Sequence, residues 1–346
     1  MELLKSFLSS PRIWRRRRDA LRSSILAKLP PELIIYIAEF LPPIAATSFS
    51  LCCRPIHFLL GINYRKLCCG ENFDTFKLLE VLERDLPDHI ACYDCKKLHA
   101  IKDAKRHIYS NRYFLIRPRG RPIPLCWMAN LDREVDSYID PGFCFTVFQM
   151  AMKRHRQGAD PSPLLDLMLS KNEMYKDWSR TTGLHHIVDG SLLVRVQTVF
   201  QVNHASIKPF LSQTGFRICP HFGYTMRKEP AGGTYECRRL RWDSQENFES
   251  WGVLIQCKFC AAEFRIDTSE QGGVMVFTRR QNLREGKSPL DCQWQSHVDG
   301  YMEGIFGKDW KRVDFQTGSI CSAFEGREEF DAGPLVNPGE GHSFLE

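Results

Sequence analysis

The sequence predicts an α+β fold in three parts. These are an N-terminal unit of three short helices, a helical middle region, and a mixed C-terminal domain with a small antiparallel sheet. Prolines divide an apolar stretch at residues 29–61, and apolar residues recur at helical spacing up to about residue 178. Beyond residue 190, β-branched and partly alternating segments take over, and they flank two Cys/His hooks of the kind found in zinc ribbons.

Prolines set the predicted bounds of the three N-terminal helices. Pro31 fits the first turn of a helix, where its missing N–H costs nothing. Pro42 ends that helix and Pro43 opens the second one. Pro55 opens the third helix, and Gly61 is expected to cap it.

The first helix carries more apolar surface than its unit can cover. Leu33, Ile37, Phe40 and Leu41 form one stripe, and the apolar residues Ile34, Ile35, Tyr36 and Ala38 are assigned to the other side. A helix that is apolar nearly all round is expected to be buried on every side. Chains below about 40 residues seldom fold alone, so the surplus surface must pack against another part of this chain or against another protein.

This stretch resembles an F-box. The family pattern is Leu-Pro-x-Glu, then apolar residues at helical spacing, then Cys-Arg and a third helix. Ile56 and Phe58 stand where many members have a larger aromatic residue. The matching residues are Leu29, Pro30, Glu32, Ile37, Leu41, Leu51, Cys53, Arg54 and Leu59. The resemblance implies docking to the Skp-type adaptor of a cullin ubiquitin ligase through Leu29, Pro30, Leu33, Ile37, Phe40, Leu41, Leu51 and Leu59. The alternative is an ordinary helical subdomain that packs on its own chain.

Further elements follow the three-helix unit. Asn72 or Asp74 can cap a helix from about residue 75 to 86, which Pro87 stops. Two more helices are predicted at Phe145–Arg156 and Pro163–Trp178, and strands at residues 191–200, 253–255 and 273–277. The predicted organisation is a flexible basic arm (1–24), the F-box (25–66), a helical region with a Cys-x-x-Cys segment (72–180), a mixed α+β interaction domain (185–325) and a disordered tail (326–346).

The positive charge of the chain is local. Residues 1–24 hold seven Lys and Arg against two acids, and residues 96–121 hold nine against one, whereas residues 323–346 hold one against six. This pattern argues against a domain that coats nucleic acid. The run Arg15–Arg18 suggests a nuclear-import signal, a phosphate-binding patch or a solvated arm. A zinc-dependent nucleic-acid binder, or a purely structural interaction protein, stays the alternative to a ligase subunit.

Fourteen cysteines in 346 residues raise the question of compartment. The N-terminus has no long apolar segment of the secretory type, no Asn-x-Ser/Thr acceptor occurs, and two cysteine pairs have metal-type spacing. We therefore expect a reducing compartment, the cytoplasm or the nucleus. No apolar run approaches 18 residues, so no transmembrane helix and no membrane partner are expected.

Two Cys/His groupings have the spacing of metal sites. Cys219-Pro220-His221 and Cys257-x-x-Cys260 form two short hooks that can close a structural zinc site of the Cys3His type. The alternative is that these cysteines are small buried hydrophobic residues.

The second grouping consists of Cys92, Cys95 and His99. It needs a fourth ligand, for which Cys126 is the first choice and His107 the alternative. Structural zinc here would hold a region that lacks a core of its own. The alternative is that the cysteine pair packs in a core while His99 caps a helix or faces water.

The wider arrangement is similar to F-box proteins of filamentous fungi. The likeness covers the F-box itself, the segment from Glu83 to His99, and the later hooks. The sequence has no Gly-x-Ser-x-Gly, phosphate loop, Gly-x-Gly-x-x-Gly or His-Glu-x-x-His motif, so no catalytic residue is predicted. The expected partners are the Skp-type adaptor with its cullin complex and an unknown protein substrate, with nucleic acid disfavoured.

Overall fold

The chain divides into two compact units, Met1–Lys102 and Asp103–Glu346. The computed structural model describes residues 24–67, 74–108, 139–140, 142–169, 173–174, 179–201, 216–228, 235–240, 252–257, 259–268, 274–298 and 313–325. The predicted basic arm and tail, together with Cys126, lie outside these ranges apart from Ser24. The boundary between the two units, after Lys102, falls inside the predicted 72–180 region.

The proline-based prediction of three helices is confirmed. A 3-10 turn at Ile25–Lys28 precedes α1 (Pro31–Phe40), α2 (Pro43–Ser50) and α3 (Arg54–Leu67). The predicted cap at Gly61 is wrong, because α3 continues for another six residues. A Cβ at this glycine would lie 2.7 Å from the ring of His57, so the glycine makes room for that ring instead of ending the helix.

A small apolar core joins these helices. One side of α1 contributes Ile34 and Ala38, which are both buried. Cys53, just before α3, and Ile56 and Leu60 on α3 complete this core. Leu26, Leu29 and Phe49 are partly buried and pack against it. Burial of so few side chains leaves the unit only modestly stabilised.

The N-terminal unit ends with a helix and a hairpin. Helix α4 (Thr75–Asp85) starts at Asp74, whose carboxylate accepts hydrogen bonds from the N–H groups of Phe76 and Lys77 at 3.1 and 3.2 Å. Strands β1 (His89–Cys92) and β2 (Lys97–Ala100) pair in antiparallel fashion, and a 3-10 segment (Ile101–Arg106) follows. The predicted helical region therefore also contains a β-hairpin, whose turn is formed by the Cys-x-x-Cys segment.

Replacing Asp74 by alanine should lower the free energy of unfolding by about 1 kcal/mol, because two N–H groups of the first helical turn lose their acceptor. Urea titration of the full chain, followed by circular dichroism, measures this loss. Asp74→Asn keeps a capping oxygen and should stay close to wild type. Equal losses in the two variants would contradict a capping role.

Helix α5 (Phe145–Arg156) coincides with its predicted bounds. The predicted helix Pro163–Trp178 is wrong: α6 covers only Ser162–Leu165, and a short strand, β3 (Glu173–Met174), follows. Leu165, Met168 and Leu169 are buried, and one helical turn followed by a non-helical turn is enough to place them in the core. Tertiary packing decides the conformation here.

An antiparallel sheet of six strands organises the C-terminal unit, in the order β3-β4-β5-β11-β10-β9. It is larger than predicted, because β4 (Ser179–Val188) was not foreseen. The strands at its centre are β5 (Ser191–Gln201), β10 (Ala262–Thr268) and β11 (Val274–Asn282), with β9 (Ile255–Gln256) at the edge. A separate three-stranded sheet contains β6 (Phe216–Cys219), β7 (Phe222–Lys228) and β8 (Tyr235–Leu240).

The two faces of the large sheet differ in chemistry. Side chains alternate between faces along a strand, so Phe264, Met275 and Phe277 share a face, and they pack with the cysteines of the two hooks. The opposite face carries Arg195, Arg280 and Glu263, which are neighbours across strands β5, β11 and β10.

A short C-terminal helix covers the charged face. After α7 (Cys292–Gln295) comes α8 (Ser319–Glu325). The buried carboxylate of Glu263 accepts hydrogen bonds from the N–H groups of Gly318 and Cys321 at 2.7 and 2.9 Å. Glu325 pairs with both Arg195 and Arg280. Burial raises the pKa of Glu263 even though backbone donors oppose the shift.

Among the described residues, no helix has the length and apolarity needed to cross a membrane.

Candidate functional site

Helix α1 exposes an apolar stripe instead of burying it. Leu33, Tyr36, Ile37 and Phe40 are 46%, 57%, 39% and 71% exposed. Their spacing of three and four residues puts them on one face, and the rings of Tyr36 and Phe40 meet edge to face at 4.7 Å. The described part of this chain therefore does not cover this surface, and cover by another protein stays a prediction. The placement of Tyr36 on the opposite side from Leu33 is wrong.

The other predicted adaptor-binding residues occupy different environments. Pro30 is exposed, Leu29 and Leu41 are half-buried, and Leu59 is 36% exposed. Leu51 is buried, so it supports the helical unit from within and does not belong to the exposed surface. Sequence reasoning missed Phe58, which is 72% exposed on α3. We call Leu33, Tyr36, Ile37 and Phe40 the α1 stripe.

The C-terminal unit brings together the four predicted ligands Cys219, His221, Cys257 and Cys260, whose candidate ligand atoms all lie within 4.8 Å of one another. Cys219 ends β6, and His221 lies in the turn before β7. Cys257 and Cys260 lie between β9 and β10, which pair in antiparallel fashion. The N–H of Cys257 donates to the carbonyl of Ala262 at 2.9 Å and closes this turn. These residues could hold a metal ion.

Distances within this group match a tetrahedral site. The sulfurs of Cys219 and Cys257 are 3.7 Å apart, and the sulfur of Cys257 is 3.7 Å from Nδ1 of His221. Tetrahedral zinc with bonds of about 2.3 Å to sulfur and about 2.0 Å to nitrogen places such donors about 3.5–3.8 Å apart. The donor set, three thiols and an imidazole, is one that zinc favours.

The thiols sit in an apolar environment that gives them different acidities. Burial raises the pKa of Cys219 and of Cys260. The thiols of Cys219 and Cys260 donate hydrogen bonds to the sulfur of Cys257, and these donors lower the pKa of Cys257. The thiolate form is therefore favoured at Cys257, whereas burial favours the thiol form at Cys219 and Cys260.

Arg279 positions the first hook. Its side chain lies on the cysteine-bearing face of β11 and is buried. It donates hydrogen bonds to the carbonyl of Ile218, the residue before Cys219, at 3.1 Å and to the carbonyl of Ile139 at 2.6 Å. Burial lowers its pKa to about 10. Sequence reasoning missed this residue, because an arginine in a β-strand gives no signal of being buried.

Arg279→Met should lower the free energy of unfolding by about 3 kcal/mol, because two buried carbonyls lose their donor at roughly 1–3 kcal/mol each. It should also weaken metal retention, since Cys219 loses its support. Thermal melting and metal analysis after dialysis check both effects. Lys287→Met, on the exposed surface, should change neither. An Arg279→Met protein with the metal content and the melting temperature of wild type would contradict the positioning role.

The N-terminal unit brings Cys92, Cys95 and His99 together, with ligand atoms that also lie within 4.8 Å of one another. Both cysteines are buried and His99 is half-buried. The fourth ligand, Cys126, stays a prediction outside the described residues. The alternative, His107, is buried and belongs to the other compact unit.

Further cysteines and histidines lie outside these two groupings. Cys53, Cys144 and Cys321 are buried, whereas Cys52 and Cys292 are exposed. His185 and His186 lie on β4. His185 is 3.3 Å from Asp166, and His186 stacks on Phe324.

Comparison with protein-family models, with curated proteins and with solved structures gave no match.

Proposed function

We propose that this chain is the substrate-recognition subunit of an SCF-type cullin ubiquitin ligase. The observation that carries the proposal is the α1 stripe, four large apolar side chains exposed on one helix of a unit that resembles an F-box. Exposed patches of this kind mark surfaces that bind other proteins. A few large apolar side chains can supply most of the binding energy for an adaptor.

The proposed mechanism needs no chemistry from this chain. The three-helix unit binds the Skp-type adaptor, and the C-terminal unit binds a target protein. Tethering the target near a ubiquitin-charged enzyme raises its effective concentration there, which accelerates transfer. The chain is thus an adaptor-bound receptor and not an enzyme.

We infer that zinc is the ion held by Cys219, His221, Cys257 and Cys260. Four protein donors fill a tetrahedral shell and leave no position for a catalytic water, so the role is structural. The hooks pack against the core of the large sheet, and the metal would join them to it. Free thiols at buried positions fit a reducing compartment, the cytoplasm or the nucleus.

Affinity purification of the tagged full chain from a eukaryotic host tests both parts at once. We expect mass spectrometry to find a Skp-type adaptor and a cullin in the same sample. Elemental analysis should find zinc. Recovery of nucleic acid without an adaptor, lost steeply as salt is raised, would favour the nucleic-acid alternative and contradict the receptor role.

A further inference from the structure

A second group of metal donors lies at the tip of the β1–β2 hairpin. Cys92 ends β1, Cys95 lies in the turn, and His99 sits on β2. Strand pairing sets Cys92 opposite Lys97 and Ile90 opposite His99, so Cys92 and His99 lie on the same face of the hairpin. The two sulfurs and the imidazole nitrogen lie within 4.8 Å of one another.

The backbone of this turn takes an unusual conformation. Lys96, directly after the second cysteine, has φ of 51°, a left-handed value that residues with a side chain seldom adopt. Its ammonium group lies 3.6 Å from the centre of the Tyr93 ring and 4.8 Å from that of Phe76. These contacts help hold the turn in a form that returns Cys95 to the side of Cys92.

The hairpin is also tied to helix α4. The rings of Phe76 and Tyr93 meet edge to face at 5.1 Å, and the carboxylate of Glu83 accepts a hydrogen bond from the N–H of Ala91 at 2.9 Å. Helix α4 in turn packs against α2 of the three-helix unit. A two-stranded hairpin is marginal by itself, and small units commonly rely on a metal or another staple.

We propose that Cys92, Cys95 and His99 supply three of the four ligands of one zinc ion that secures the hairpin against α4, with water as the fourth ligand beside the half-buried His99. Two thiolates and an imidazole are borderline-soft donors that suit zinc. The sulfur of Cys95 lies 3.0 Å from Nε2 of His99, a hydrogen-bond distance. A shared zinc would separate these atoms to about 3.5 Å. Binding releases the two thiol protons to solvent, and the ion replaces the thiol–imidazole hydrogen bond. Zinc binding at the hairpin does not depend on the receptor role proposed above.

Metal counting on the purified full chain tests the proposal. We expect two zinc ions per wild-type chain and one per chain after Cys92→Ser with Cys95→Ser. Cys52→Ser, which removes an exposed cysteine of the same unit, should leave the count at two. A wild-type count that the double substitution does not change would overturn the proposal.

A measurement on the unmodified protein covers the case in which the double variant fails to fold. Alkylation with a maleimide, read by peptide mass spectrometry, should spare Cys92 and Cys95 in the zinc-loaded chain. After chelation their labelling should rise at least tenfold, whereas Cys52 should be labelled alike in both states. Equal labelling of Cys92 and Cys95 with and without chelator, or a disulfide between them in the purified protein, would refute zinc binding here.

Discussion

Glutamates in place of Leu33 and Ile37 are expected to abolish binding of the Skp-type adaptor. Both side chains lie on the α1 stripe and are 46% and 39% exposed, so the free chain tolerates the change. Within a complex, each carboxylate would lose its hydration and face apolar surface. A loss of about 3 kcal/mol corresponds to a dissociation constant raised by roughly a hundredfold or more.

The chain offers a matched control on the same helix. Ile35 is 37% exposed, close to the value for Ile37, but points to the opposite side of α1. Ile35→Glu should change the dissociation constant by less than about threefold. Calorimetric titration of purified adaptor gives the affinities, and circular dichroism establishes that all variants stay helical. Wild-type affinity in the Leu33/Ile37 double variant would refute the α1 stripe as the docking surface.

The sequence predicted the features that local chemistry sets. Proline fixes φ and lacks an N–H, so Pro31 and Pro43 mark helix starts whatever the surrounding fold. A Cys-x-x-Cys pair carries its own turn, and two such pairs were found as the turns of hairpins. The hook at Cys219 and His221 was paired with Cys257 and Cys260 because four donors satisfy one tetrahedral ion.

Features decided by distant contacts could not be predicted. Strand β4 contains Thr181, Thr182 and Gly183 and two histidines, and it is a strand because β5 pairs along its whole length. The apolar pattern at residues 163–169 favoured a long helix, but one turn suffices to bury Leu165 and Met168. In this segment the apolar pattern is consistent with the burial of these residues, but it does not determine whether the backbone is helical.

Replacement of Cys260 by serine is expected to remove the zinc ion from the C-terminal unit and to disrupt its fold. A hydroxyl is a poor ligand for zinc, and Cys260 is 0% exposed, so water does not readily replace the lost donor. Zinc binding contributes about 10–16 kcal/mol to the folding of small zinc domains, which matches or exceeds the total stability of a typical domain. The hooks form part of the core around Phe264 and Phe277, so loss of the ion should loosen the large sheet as well.

Cys321 separates this effect from ordinary core packing. It is 3% exposed, against 0% for Cys260, and it lies on α8, which packs over the opposite face of the sheet. Cys321→Ser makes the same sulfur-to-oxygen change and should retain zinc, with a melting temperature only a few degrees below wild type. Cys260→Ser should lose one of the two zinc ions on dialysis, together with the cooperative melting of this unit. Wild type treated with chelator should lose the same melting transition. If the Cys260→Ser and Cys321→Ser variants held the same number of zinc ions and melted at the same temperature, the hook cysteines would be small buried apolar residues and not metal ligands.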